Sequence, residues 1–159
     1  MSTGIGWDTH PFTEGRPLIL GGVRLEHDRG LAGHSDADVL THAVIDAMLG
    51  AAALGDIGSH YPDTDPRYEG IDSMHLLAST VTLLAEASLR VAHVDTTVLM
   101  ERPKLAPVRD AIRESLAAAL ELGLEHVNVK ATRGEGMGFI GRAEGVAALA
   151  VVTVESLPG

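Results

Sequence analysis

The chain has no cysteine. That excludes disulfides and thiolate metal or redox centres, so any bound ion must be held by His, Asp or Glu. Aromatic residues make up only 3% of the 159 positions, so Ala, Val and Leu must fill the core and the elements must pack at short range. Basic side chains number 12 against 22 acidic ones, a net charge of −10. With no Lys/Arg cluster to offset that charge locally, no nucleic-acid or anionic-membrane partner is expected. No apolar run approaches the roughly 20 residues that span a bilayer. The first residues lack the basic and apolar regions of a secretory leader. These absences together predict a cytoplasmic protein.

What is present reads as one domain over 1–159, long enough to bury roughly 70% of the surface of its unfolded chain. Residues 3–10 alternate short polar and apolar side chains until Pro11, predicting a strand that ends in a loop, with Asp8 and His10 on one face. Leu18 to Leu25 reads as a hairpin turning on Gly21-Gly22. Ser35 or Asp36 caps a helix over 37–53, with Val39, Val44, Ala47, Met48 and Ala51 as its apolar stripe and Gly55 as its stop. The Asp-, Pro- and Gly-rich stretch 56–71 is a long loop, and long loops inside compact domains usually carry function.

Ser73 caps a second helix to about Arg90. A strand follows at about 93–101. A third helix follows Pro103 and Pro107, presents Val108, Ile112, Leu116 and Leu120, and ends at Gly123. Strands close the chain at 127–131 and 145–155. The pattern is α+β. Strands this apolar need cover on both faces and three helices cover one, which predicts a homo-oligomer.

Asp8 and His10 offer an oxygen and a nitrogen from one strand face. Asp38, His42 and Asp46 recur at four-residue spacing along one helix face, so His42 can join them as a ligand while Asp38 or Asp46 orients it. Two histidines and one carboxylate leave a fourth position open. That pattern suits Zn²⁺ used as a Lewis acid rather than as a structural ion. A Zn²⁺-dependent phosphohydrolase and a non-catalytic metal- or diphosphate-binding module are the other readings of these residues.

The segments GWDTHPF, GHSDADVLTHAVIDAMLGAAALGDIGSHYPDTDP, ERPKLAP, NVKAT and GFIGRAEG together resemble the 2-C-methyl-D-erythritol 2,4-cyclodiphosphate synthase family, in order and over almost the whole chain. The resemblance implies a mixed four-stranded sheet with helices on one face plus a small β-hairpin. It also implies a homotrimer whose sheets face the three-fold axis and whose active sites lie between subunits. The implied reaction converts 4-diphosphocytidyl-2-C-methyl-D-erythritol 2-phosphate to the cyclic diphosphate and CMP, in the non-mevalonate isoprenoid pathway.

Carried over by matching positions, the resemblance places Zn²⁺ on Asp8, His10 and His42, and a second ion, Mg²⁺ or Mn²⁺, on the substrate phosphates with Glu135. Thr9 lies within the first of these segments. His34 and Ser35, just before the helix, hold the 2-phosphate and steady the transition state. Asp56, Ile57 and Gly58, with Tyr61, Pro62, Asp63, Thr64 and Asp65, match a loop that binds the erythritol hydroxyls. Met100, Glu101, Arg102, Pro103, Lys104, Leu105 and Ala106 match a cytidine pocket.

Ala131, Thr132, Arg133, Gly134 and Glu135 match a diphosphate segment in which the family commonly has another threonine where this chain has Arg133. That arginine either replaces a hydroxyl donor by a charged one or swings out to solvent. Phe139 and Arg142 match a segment near the three-fold axis. There Arg142 faces a cavity for an isoprenoid diphosphate, pairs with Glu144 across an interface, or does both.

Overall fold

The computed structural model describes residues 1–157. Strand β1 (Ser2–Thr13) leads into a hairpin of β2 (Leu18–Leu20) and β3 (Val23–Leu25), then a two-residue strand β4 (Gly30–Leu31) and helix α1 (Val39–Ala51). A short helix α2 (Ile57–His60) and a 3₁₀ turn (Pro66–Tyr68) occupy the long loop before α3 (Ser73–Glu86). Then come β5 (Leu89–Leu99), α4 (Arg109–Ala119), β6 (Val127–Thr132), α5 (Gly138–Gly141) and β7 (Gly145–Ser156).

The main sheet runs β4-β1-β7-β5-β6, and the hairpin forms a separate two-stranded sheet. Only β5 and β6 are parallel, joined through α4; the other neighbours are antiparallel. The sheet is mixed, as expected, but five-stranded rather than four-stranded. The fifth strand is β4, whose two residues pair with Phe12 and Thr13. It exists because β1 does not end at Pro11. Proline lacks only its own N–H. The strand continues there, with Phe12 N–H donating to Glu144 and the Pro11 carbonyl accepting from Ala32. At that point β1 changes partner from β7 to β4.

Helix α1 is buried almost all round rather than along one stripe: of its residues only Asp46 and Gly50 are not buried. It lies on β1 and β7, with α3 against its flank. The approach to β1 is so close that a Cβ on Gly6 would stand 1.9 Å from the Ala43 carbonyl oxygen, and one on Gly4 2.2 Å from that of Ala47. Glycine at these alternate positions lets helix backbone rest on strand backbone, and it brings His42, one residue before Ala43, beside Asp8 and His10.

On the other face of the sheet the side chains of β1 stand exposed. Ile5 is 65% exposed and Trp7 51%, while Val146, Ala148, Ala150, Val152 and Val154 of the neighbouring β7 are buried on the helix side.

Helix α1 starts later than its sequence suggests. Its cap is Asp38, not Ser35 or Asp36, and α3 is capped by Asp72 rather than Ser73. The Asp38 carboxylate, fully buried, accepts from Thr41 N–H and Thr41 Oγ1. It also accepts from both amides of the hairpin turn, Gly21 (2.9 Å) and Gly22 (2.7 Å). Both turn glycines have positive φ, 57° and 74°, which lets the two N–H groups point the same way. One carboxylate thus pins the hairpin to the start of α1.

Candidate active site

Asp8 and His10 sit two residues apart on the helix-facing side of β1, and His42 faces them from the first turns of α1. Asp8 Oδ2 lies 2.8 Å from His10 Nε2 and 3.0 Å from His42 Nδ1, and the two ring nitrogens are 3.3 Å apart. These three residues form the one group of His and carboxylate side chains, among the described residues, whose ligating atoms converge on a single point.

The other ring nitrogen of His10, Nδ1, is 2.8 Å from the Ala32 carbonyl, which can only accept, so Nδ1 carries the ring proton. Nε2 is thereby turned toward the Asp8 carboxylate oxygen, and either a proton or a cation must lie between them. A tetrahedral ion with bonds of ~2.1 Å would space its ligands ~3.4 Å apart, close to the separations observed, so the donor set fits a divalent cation. Asp8 and the two histidines also shift one another's proton affinity. Burial pushes the Asp8 carboxyl up, but hydrogen bonds and charge from His10 and His42 bring it down to about 2. Burial lowers His10, but Asp8 and the Ala32 carbonyl hold it above the ordinary imidazole value.

Neither Asp38 nor Asp46 orients His42, contrary to the four-residue spacing. Asp38 is spent on the hairpin turn, and Asp46 accepts from Ile57 N–H at the start of α2. The outer nitrogen of His42, Nε2, instead meets Ser73 Oγ at 2.8 Å and Ser35 Oγ at 3.2 Å. Ser73 carries no motif that marks it, because an Asp-Ser pair before a helix reads as a cap whichever residue does the capping. Arg16 is likewise invisible in the sequence. It donates to the Gly33 carbonyl (2.7 Å) and the Ser35 carbonyl, bracing the loop that carries His34.

The three converging residues line a cleft of about 450 Å³ with His34, Ser35, Ile57, Gly58, Tyr61, Pro62 and Asp63. His34 is tied to the long loop by its Nε2, which donates to the Asp65 carbonyl (3.1 Å), and by its own carbonyl, which accepts from Gly70. The Ser35 hydroxyl does not stand at a helix amino terminus. Three residues separate it from α1, it accepts from Ala37 N–H, and it is turned inward toward His42.

Of the loop carboxylates only Asp63 lines the cleft. Asp56 caps α2 through Ser59 and Asp65 is gripped by Arg67. Thr64 is exposed beside them. Thr9 points to the opposite face, its Oγ1 donating to the Val146 carbonyl.

A second cleft, about 290 Å³, is lined by Met100, Glu101, Pro103, Lys104, Leu105, Ala106, Ala131, Thr132 and Arg133. It shares no residue with the first. Arg102 sits on its rim between lining residues, and Gly134 is held there by donating to the Glu101 carboxylate. Glu135 does not join the His–Asp group. It is exposed, with φ +53°, and lies 3.3 Å from Arg133, which it pairs. Arg142 pairs with Glu144 within the same chain (2.9 Å), and Phe139, 41% exposed, stands on α5.

Lys130 pairs with Asp95 on the open face of the sheet. Partial burial pushes the Asp95 carboxyl up, but Lys130 and Asn128 more than reverse this and hold it below the usual range. A depressed carboxyl stabilises the fold above its unfolded value of about 3.9 and loses that contribution as pH falls through its folded value. Asp95→Asn is therefore expected to lower the unfolding midpoint by a constant amount above pH ~4. The difference should close on acidification; a difference that widens toward acid would contradict the pairing.

A family model described as the YgbB family matches residues 1–155. The chain belongs to the YgbB family. Within it, the 2-C-methyl-D-erythritol 2,4-cyclodiphosphate synthase of Syntrophobacter fumaroxidans is 57% identical over 156 residues, covering 98% of each chain. Among solved structures, the bifunctional IspDF of Campylobacter jejuni matches with a TM-score of 0.94 at 44% identity, over 98% of this chain and 42% of that longer one. A 2C-methyl-D-erythritol-2,4-cyclodiphosphate synthase in its CDP-bound form matches with a TM-score of 0.88 at 35% identity, over 96% of this chain and 99% of that one. No helix of the described residues is long and apolar enough to cross a membrane.

Proposed function

We propose that this YgbB-family protein converts 4-diphosphocytidyl-2-C-methyl-D-erythritol 2-phosphate to 2-C-methyl-D-erythritol 2,4-cyclodiphosphate and CMP. It acts as a single cyclodiphosphate synthase domain, in the cytoplasm, as a step in making isoprenoid precursors. The observation that carries the reading is the convergence of Asp8, His10 and His42 on the floor of a cleft walled by His34, Ser35 and the 57–63 segment, in a chain 57% identical to a synthase of that name. An oxygen of the 2-phosphate forms a bond to the β-phosphorus, the bond from that phosphorus to the α-phosphate oxygen breaks, and CMP leaves with the electron pair.

Zn²⁺ on Asp8, His10 and His42, and Mg²⁺ or Mn²⁺ at the phosphates near Glu135, would supply the positive charge that lets two anionic groups approach. The chain's own groups do the positioning. His34, fixed through Nε2 to the Asp65 carbonyl, borders the place of the 2-phosphate. Asp63 takes the erythritol hydroxyls. The 100–106 segment encloses the cytidine, with Lys104 toward the diphosphate, and Arg133 serves the same diphosphate in place of a hydroxyl. Holding attacking and departing groups in one cage makes the reaction intramolecular, an advantage of roughly 7–11 kcal/mol at its upper limit.

In this reading, supported by the separation of the metal and cytidine clefts, whose linings share no residue, the complete site is built between subunits of a homotrimer. The exposed Ile5 and Trp7 face its axis, and Phe139 and Arg142 border an axial cavity that takes an isoprenoid diphosphate. The test is to supply the cytidine substrate to purified protein, quantify CMP and identify the second product by phosphorus NMR. Cyclic diphosphate in a one-to-one ratio with CMP is expected. Inorganic phosphate or an open-chain diphosphate would overturn the assignment.

A further inference from the structure

We propose that Asp36 and Ser73 are positioning residues for His42, fixing which of its ring nitrogens carries the proton and so which one is offered to the cleft. The inference rests on the reading of Asp8, His10 and His42 as a cation site, and it concerns residues that touch neither substrate nor ion.

The assignment follows from counting protons. Ser73 is fully buried, and its hydroxyl has a single proton and three neighbours, Asp36 Oδ1 at 2.5 Å, His42 Nε2 at 2.8 Å and Ser35 Oγ at 3.4 Å. A carboxylate can only accept, so the proton goes to Asp36 and Ser73 Oγ turns lone pairs toward the imidazole. Nε2 must therefore be the N–H of His42. Ser35 Oγ, 3.2 Å from the same nitrogen, accepts the Ala37 amide and can give its own proton to Ser73 Oγ at 3.4 Å, which leaves it a second acceptor for Nε2. Neutral imidazole has one ring proton, so Nδ1 is left with its lone pair aimed at Asp8 Oδ2 and His10 Nε2.

The Asp36 carboxylate also receives the backbone N–H groups of Asp38 and Ser73, both at 3.1 Å. Those bonds also anchor the relay mechanically. Asp36 is braced by its own N–H donating to Ile71, and Ser73 is the first residue of α3, so the orientation of His42 is set jointly by the α1 approach loop and a second helix. Outer partners of this kind fix the tautomer and aim of a ligating histidine.

Ser73→Ala and Asp36→Asn are compared with the unaltered protein in two measurements. Zn²⁺ affinity, by competition with a chromogenic chelator, is expected to fall about 10–100-fold in each. Nitrogen-15 NMR of the metal-free protein in mildly alkaline buffer, where imidazoles are neutral, is expected to show His42 protonated at Nε2 in the unaltered chain and distributed between both nitrogens in Ser73→Ala. Asp36→Asn keeps the shape of the side chain and carries the test should Ser73→Ala fail to fold.

Unchanged affinity and tautomer in the folded variants, or a His42 protonated at Nδ1 in the unaltered protein, overturns the proposal. Its failure is separable from failure of the proposed reaction. Weakened zinc binding in the variants of a protein that releases no CMP leaves the relay standing without the synthase, and CMP release with unchanged affinity and tautomer does the reverse.

Discussion

His42→Ala is expected to lose at least about 10³-fold in CMP release, since removing an outer partner of a metal ligand already costs 10–100-fold and this change removes the ligand itself. The fold should tolerate it. The imidazole borders a cleft, and its outer neighbours, Ser35 and Ser73, remain bonded to Ala37 and Asp36. Far-UV circular dichroism and subunit size should match those of the unaltered protein while zinc content falls to background. A variant that kept full rate with no bound zinc would show that Asp8, His10 and His42 do not serve the reaction through an ion. Glu135→Gln provides the contrast. Glu135 is exposed and outside the converging group, so zinc retention should be unaffected there even if turnover falls.

The second large effect is on stability. Asp38→Ala removes the acceptor of four hydrogen bonds, from Gly21, Gly22, and the amide and hydroxyl of Thr41, at a fully buried position. Leaving such donors without their charged partner costs about 3–5 kcal/mol, or roughly 10 °C in thermal midpoint for a chain of this length. Thermal unfolding followed by circular dichroism measures it. A shift of under ~2 °C, less than 1 kcal/mol, would mean that the hairpin and helix hold together without this carboxylate. Zinc affinity should change little, because the Asp38 side chain does not touch His42 and the bond from His42 N–H to the Asp38 carbonyl is kept in alanine. That outcome would separate it from Ser73, whose loss acts on the metal site.

The two aspartates show where spacing misleads. Asp38, His42 and Asp46 recur every four residues and share a helix face only if the helix already runs through Asp38. In the fold Asp38 is the cap, so its carboxylate turns back over the first turn and reaches the hairpin instead. Asp46 is drawn to Ile57 by the start of α2, an element too short for periodicity to reveal. Pro11 misleads in the other direction, reading as a stop although the strand needs no donor at the one place where it changes partner. Arg16 and Ser73 could not be found in sequence at all, because their roles depend on chain segments 17 and 31 residues away folding against them.

Other features were legible because they are local. The alternation around Asp8 and His10 is a property of any extended strand, the Gly-Gly turn of any tight hairpin, and the helical repeats of Leu76, Leu77, Thr80, Val81 and Leu84 or of Val108, Ile112, Leu116 and Leu120 of any helix with one side turned inward. Family membership was legible too, since long motifs in fixed order are read residue by residue.

Sequence alone therefore settled the longer strands and helices, their order, the absence of thiolate ligands and the candidate donors. Only the tertiary structure decided that Gly4 and Gly6 let α1 rest on β1 so that His42 meets Asp8 and His10, and which side chains stand behind them. The division has a physical cause: backbone periodicity is set by neighbours a few residues apart, whereas a metal-sized convergence of three donors depends on contacts between segments that meet only once the core has closed.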